Sequence, residues 1–393
     1  MLNEKRWLLP EGVEELLPDQ SRLVEKLRRR LLDLFDAWGY ELVITPLMEY
    51  IESLLLGRGD DLDLQTFKLI DQLNGRLMGV RADITPQVAR IDAHHLQNEG
   101  PSRLCYVGSV LHTRPDGFAQ TRQPIQVGAE LYGYPGLEGD IEVIHLMVET
   151  LSRAGIGDVF VDLGHVGIFR AMARCAGLSD QDEATLFDAM QRKARPDVEQ
   201  LLEAARVPAP WQDHFFCLVD LNGDKEVLAI AKKRLAPLDA DIAKAVADLE
   251  QVLMALNARL PNLTVHFDLA ELRGYHYKTG LVFAAFVAGH GQEVARGGRY
   301  DNIGAAYGRA RPATGFSTDL MTLLRLAQAE PRRKLAILAP AGDDVDLMQR
   351  VAQLRHSGER VISALPNQSG SPVELGCDRQ LVRIKEQWEI KPL

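Results

Sequence analysis

Along the run Gln123 to Tyr132, Gln126, Gly128 and Glu130 alternate with Val127, Ala129 and Leu131. Successive side chains of a strand point to opposite faces, so this segment has one apolar face and one face carrying an amide and a carboxylate. A carboxylate between apolar neighbours either faces water or lines a polar pocket. A second stretch, Leu269 to Asp301, adds the chemistry such a pocket needs. It holds Arg273-Gly274, two tyrosines around His276 (Tyr275 and Tyr277), an apolar run from Leu281 to Val287, and Gly-Gly-Arg-Tyr-Asp, read as a turn ending at Asp301. Glycine lets backbone approach a ligand, arginine offers a planar fork to a carboxylate or phosphate, and tyrosine gives an aromatic wall with a polar tip. The same composition also suits ordinary strands and turns.

The surrounding pattern alternates helix and strand. Asp19 to Trp38 has a helical apolar stripe (Leu23, Leu27, Leu31, Leu34, Phe35), with Asp19 or Ser21 as N-cap and Gly39 as the stop. Tyr40 to Thr45 alternates like a strand, and Pro46 ends it. Gln65 to Val80 reads as a hairpin around Gln72 to Gly75. Asp83 and Thr85 follow, just before a helix from Pro86 to His95, where either could also be a plain cap. A strand from Arg103 to Leu111 precedes Gln123 to Tyr132, and a helix from Asp140 to Ala154 and a strand from Val159 to Leu163 come after it. From Gly167 to about Leu260 the chain turns helical, which reads as an insertion because strand grammar resumes at Leu263 to Leu269. Arg309 to Gly315 reads as a turn into a last helix, Ser317 to Ala329, and Glu330-Pro331-Arg332-Arg333 as a linker. The expected organisation is a core over 1–330, with the insertion at about 167–260, and a small α/β tail over 331–393.

Composition narrows the function. The four cysteines lie far apart with no CxxC, which argues against a zinc site or a disulfide framework and suits a reducing cytoplasm. No apolar run is long enough to span a bilayer, and the first twenty residues do not read as a signal peptide. A net charge of −10 lowers the expectation of nucleic-acid binding, which wants a basic face. GxGxxG, P-loop, HExxH and GxSxG patterns are absent, so no cofactor or metal is expected.

The polar residues form a coherent set. Asp83 and Glu130 can hold an ammonium, with Thr85 and Gln126 hydrogen-bonding beside it. Arg273 can pair a carboxylate, and Tyr275, Tyr277 or Tyr300 can flank a ring. Ammonium, carboxylate and flat ring describe an aromatic or heteroaromatic amino acid, whose two charges would pair those of the site.

On these residues the chain resembles the catalytic core of histidyl-tRNA synthetase, a class II synthetase, over roughly residues 1 to 325. The helix and strand ending at Pro46 resemble its motif 1, Arg103 to Gly133 its motif 2, and Gly297 to Leu324 its motif 3. Arg81 to Thr85 stands where the family has Arg-Pro-Glu-Gly-Thr, and Leu272 to Phe283 resembles its histidine-reading stretch. The resemblance implies an α+β fold: a class II synthetase-like antiparallel sheet flanked by helices. Motif 2 should read Phe-Arg-His-Glu-Arg, but here it is Val110-Leu111-His112-Thr113-Arg114. Motif 3 should end Gly-Leu-Glu-Arg-Leu, but Thr322 stands in the arginine's place. Adenylate formation needs cations on the phosphates, and losing one such donor costs about a hundredfold or more in rate. Arg114 and Arg122 remain nearby. The Asp-Tyr-Tyr of the imidazole-reading end has become His276-Tyr277-Lys278. Only about sixty residues follow Pro331, where the synthetases carry an anticodon-binding domain of about a hundred.

A retained amino-acid pocket without the ATP grip resembles the regulatory-subunit family of ATP phosphoribosyltransferase. That resemblance implies a chain with no catalytic residues and no tRNA. It implies a homodimer through motif 1, and a cytoplasmic hetero-octamer with the short-form catalytic subunit. L-histidine would be the inhibitory effector, bound by Asp83, Thr85, Gln126, Glu130, Arg273, Tyr275, Tyr277 and Tyr300. Two other readings stay open: a ligase still forming an adenylate through Arg114 or Arg122, and a scaffold that binds no ligand.

Overall fold

The helix expected over Asp19 to Trp38 runs Pro18–Ala37 in the computed structural model, which describes residues 8–55, 60–115, 121–270, 277–327 and 334–393. It starts ahead of both expected caps, because Pro18 fits the first turn and the Gln20 side chain accepts the Leu17 N–H at 3.3 Å. Val24, Leu27, Leu31, Leu34 and Phe35 are its buried stripe.

The strands, in chain order, are β1 (Glu41–Leu42), β2 (Met48–Tyr50), β3 (Phe67–Ile70), β4 (Leu77–Val80), β5 (Ser102–Ser109), β6 (Ile125–Tyr132), β7 (Val159–His165), β8 (Asn222–Gly223), β9 (Thr264–Asp268), β10 (Leu281–Val287), β11 (Ala295–Arg299) and β12 (Ala313–Asp319). Among the described residues, nine form one sheet in the order β1-β5-β6-β12-β11-β10-β7-β9-β8, and β2-β4-β3 form a small second sheet. Pairing in the large sheet is antiparallel except for β1 with β5 and β7 with β9. One face of it packs on the helices Pro18–Ala37 and Leu137–Ala154, in a single apolar cluster that includes Val127, Ala129 and Leu131. The helices from Val166–Ala176 to Ala240–Arg259 join that same cluster through Phe169, Phe187, Phe215 and Leu249. Strand β8 interrupts them and pairs with β9, so the helical stretch returns once to the sheet.

Three segments differ from expectation. Gly297 to Arg299 lies in β11 rather than in a turn, and Ala313–Asp319 is a strand, with the last helix of the core at Leu320–Leu326. Their glycines mark close packing instead of chain reversal. A methyl group at Gly297 would collide with the Phe283 ring, and one at Gly315 with Glu130 Oε2. The strand expected over Tyr40 to Thr45 shortens to β1, because Thr45 and Pro46 turn their oxygens onto Arg81.

The chain divides into two compact units, Met1–Ala329 and Glu330–Leu393. In the second, strands β13 (Ala336–Ala339), β14 (Val361–Ser363), β15 (Cys377–Ile384) and β16 (Gln387–Pro392) form a sheet in the order β14-β13-β15-β16. Helix Val345–His356 covers it, with Ile337, Leu347, Val351, Leu354 and Leu381 buried between them.

Candidate functional site

The polar face of β6 carries the site. Strand pairing places Glu130 beside Gly315 and Leu104, and Gly128 beside Ser317 and Tyr106. The absence of side chains at Gly128 and Gly315 leaves a floor over which neighbouring polar groups lean.

Asp83, Gln126 and Thr85 are locked together. Gln126 Nε2 donates to Asp83 Oδ1 at 2.8 Å, and Gln126 Oε1 accepts the Ile84 N–H at 2.9 Å. Asp83 Oδ1 also accepts the N–H of Thr85, the first residue of the helix Thr85–Arg90, at 3.0 Å, although Ile84 holds the cap position itself. Thr85 Oγ1 lies 3.1 Å from the Tyr106 hydroxyl, which donates to Glu130 Oε1 at 3.0 Å. The Tyr300 hydroxyl donates to the other Glu130 oxygen. Five of the expected residues (Asp83, Thr85, Gln126, Glu130, Tyr300) thus form one hydrogen-bonded group, joined through Tyr106. Tyr106 was missed in the sequence, although it sits opposite Gly128 on the face already marked as polar. Tyr277 is 36% exposed. Arg273, Tyr275 and His276 lie outside the described residues.

Glu130 is fully enclosed, and burial pushes its carboxyl from the ordinary 4.5 up to about 8, against the lowering pull of the Tyr300 and Tyr106 hydroxyls. Nearby Asp83 raises it further. The sign for stability follows. Between those two values the folded chain keeps a proton that the unfolded chain has lost, so stability falls as pH rises, by up to about 1.4 kcal/mol per pH unit. Glu130→Gln should remove this slope. Urea unfolding at pH 5.5 and 7.5 is expected to show the wild type losing about 2 kcal/mol more than the variant. Parallel losses would mean that Glu130 is ionised in the folded chain.

The walls are held from behind. Arg81, 7% exposed, donates to Thr45 O at 2.9 Å, Thr45 Oγ1 at 2.7 Å and Ser109 O at 2.9 Å. Arg299 donates to Asp140 Oδ2 through Nη2 at 2.6 Å and Nε at 3.0 Å, and Asp140 is completely buried. Arg311 pairs with Asp92 at 2.9 Å. Both buried acids have their cation, which is the condition for burying either.

The residues at the positions expected to have lost a phosphate grip make contacts within the chain. Thr113 turns its hydroxyl onto Leu64 O at 2.6 Å, and Thr322 turns its own onto Asp319 Oδ2 at 2.8 Å. Leu111 is half-buried and its N–H donates to Arg81 O at 3.0 Å. The Arg122 guanidinium is committed to His112 O at 3.1 Å and Glu11 O at 3.3 Å, with its carbon 4.9 Å from the centre of the Phe67 ring. Arg114 is exposed beside the undescribed stretch 116–120.

Residues 12–323 match the family described as Histidyl-tRNA synthetase, and residues 333–391 match the ATP phosphoribosyltransferase subunit HisZ C-terminal domain. The chain is 56% identical over 398 residues to the ATP phosphoribosyltransferase regulatory subunit of Thioalkalivibrio sulfidiphilus, with 100% of each chain covered. It is 55% identical over 395 residues to that of Stutzerimonas stutzeri, again with 100% of each covered. Its fold is similar to a solved ATP phosphoribosyltransferase regulatory subunit/histidyl-tRNA synthetase from Bacillus halodurans (TM-score 0.83, 24% identity, 94% of this chain and 95% of that one). Histidyl-tRNA synthetase from a Nostoc species shares the fold as well (TM-score 0.77, 20% identity, 96% and 91%). The architecture is thus the expected α+β, class II synthetase-like one. With full-length relatives at this identity, the chain belongs to the family of ATP phosphoribosyltransferase regulatory subunits.

Proposed function

We propose that this chain activates a short-form ATP phosphoribosyltransferase catalytic subunit in a cytoplasmic hetero-octamer, and makes it sensitive to feedback inhibition by L-histidine in the first step of histidine biosynthesis. The observation that carries the reading is the convergence of Asp83, Thr85, Gln126, Glu130 and Tyr300 in one hydrogen-bonded group, beside motif positions that have lost their phosphate-binding cations. In this reading Asp83, Thr85, Gln126 and Glu130 hold one side of the histidine zwitterion. Arg273 holds its carboxylate, and Tyr275, Tyr277 and Tyr300 flank the ring. No catalytic residue, metal, tRNA or membrane enters it. No helix of the described residues is long and apolar enough to cross a bilayer.

A homodimer through the motif 1 edge is part of the proposal. Leu42, Ile44, Leu47 and Met48 are 44%, 84%, 51% and 47% exposed along one short segment at the edge of the large sheet, a stripe that suits burial against a second copy. Residues 1–330 would form the effector-binding core and 331–393 a separate C-terminal domain.

The test is phosphoribosyl transfer to ATP by a short-form catalytic subunit, with and without this chain, across a histidine titration. Stimulation that histidine reverses is the expected result. A transferase indifferent to the chain would overturn the proposal.

A further inference from the structure

Strand β16 is an open edge. Among the described residues it pairs with β15 on one side, and no strand pairs with it on the other. Lys385 and Glu386, at φ 45° and 74°, make the two-residue turn between β15 and β16 that sets Ile384 opposite Gln387. The N–H and C=O of one strand residue point the same way, and that direction alternates along the strand. Gln387, Glu389 and Lys391 therefore turn theirs toward β15, in step with the Leu393 N–H, which donates to Asp378 O at 3.0 Å. Trp388, Ile390 and Pro392 turn theirs outward: the N–H groups of Trp388 and Ile390, and the carbonyls of all three. The side chains are sorted too. Trp388 and Ile390 pack on the apolar cluster under helix Val345–His356, whereas Gln387, Glu389 and Lys391 are exposed.

Charge and proline usually keep other strands off an edge. Here they leave one pairing open. Two copies of β16, antiparallel about a two-fold axis at Ile390, set Ile390 opposite Ile390, Trp388 opposite Pro392 and Glu389 opposite Lys391. The Ile390 N–H groups then meet Ile390 carbonyls, and each Trp388 N–H meets a Pro392 carbonyl, so Pro392 is asked only for the group it has. Opposite charges face one another on both sides of the axis. A slip of two residues either way would set Glu389 against Glu389 or Lys391 against Lys391, which like charge disfavours. We propose that β16 pairs with β16 of a second copy of this chain in that one register, joining two C-terminal sheets edge to edge.

The edge has apolar surface beside it. Asp344, which caps the helix, accepts from Arg383 at 3.0 Å, and Arg383 stands opposite Trp388. The start of the helix therefore lies at this end of β16, and its Val345 and Met348 are 61% and 51% exposed. The contact is isologous, and with its axis perpendicular to the joined sheet both helices come to one face.

Carbodiimide coupling of the full-length chain tests this, because it joins only a carboxyl and an amine in contact. Chains carrying heavy nitrogen are mixed with unlabelled chains, left to exchange, coupled and digested, and the Glu389–Lys391 product is identified by mass. Pairing between copies is expected to give mixed light–heavy product, whereas Glu389 and Lys391 of one strand, 3.2 Å apart, give only unmixed product. Ile390→Pro removes the central outward N–H, which the sheet itself does not use, and an edge strand tolerates such a proline. It should abolish the mixed product and keep the unmixed one. Lys391→Glu and Glu389→Lys chains, mixed, should couple to each other, since both charge pairs re-form between unlike copies. Unmixed product alone in the wild type, mixed product that persists in Ile390→Pro, or no coupling between the two charge variants overturns the proposal.

Discussion

Arg273→Ala is expected to raise the histidine concentration for half-inhibition of the transferase complex by about thirtyfold or more, while activation and complex formation stay at wild-type levels. Arg273 is the only one of the proposed ligand groups assigned to the carboxylate, and truncating one partner of an enclosed charge pair costs about 2 kcal/mol or more. The partners on the opposite side, Asp83, Gln126 and Glu130, are held by their own hydrogen bonds and would remain in place. The variant therefore separates effector binding from assembly. Inhibition curves that superimpose on the wild type would remove Arg273 from the site and place the carboxylate elsewhere.

The largest stability effect is expected behind the site rather than in it. Asp140→Ala leaves the Arg299 guanidinium, 9% exposed, with the carbonyls of Tyr134 and Gly136 and with Asp301 as its remaining partners. Removing one member of a buried pair costs about 3–5 kcal/mol, whereas replacing both by apolar groups is often close to neutral. Urea unfolding should show that loss for Asp140→Ala and for Arg299→Met, and a clearly smaller one for the double variant than for either single one. If the single variants lose less than about 1 kcal/mol, the carbonyls alone hold Arg299 and the pair is dispensable.

What was legible in the sequence was what depends on local spacing. Gln126 and Glu130 share a face because they are four residues apart on a strand, and the structure places them over one floor. The loss of cations at Leu111 and Thr322 was legible because it concerns residue identity alone. Tyr106 was not, since its membership depends on the register of β5 against β6, which alternation within one strand does not determine. Asp140 and Arg299 are 159 positions apart, and nothing short of the folded sheet brings them together. Gly297 and Gly315 were mistaken for turn residues because a glycine that makes room for a neighbouring ring or carboxyl looks, in sequence, like one that reverses the chain.

The anchoring of Arg81 has a mechanical consequence. Asp83, proposed to touch the effector, is two residues from Arg81, and Arg81 grips Thr45 and Pro46 within the exposed stripe Leu42 to Met48. Behind the floor of the site, Arg299 and Arg311 are each held by a buried acid. If Asp83 holds the effector as proposed, a pull on it would pass through only three residues to the rim where a second subunit would bear, and a ligand of a few atoms would act directly on an intersubunit joint.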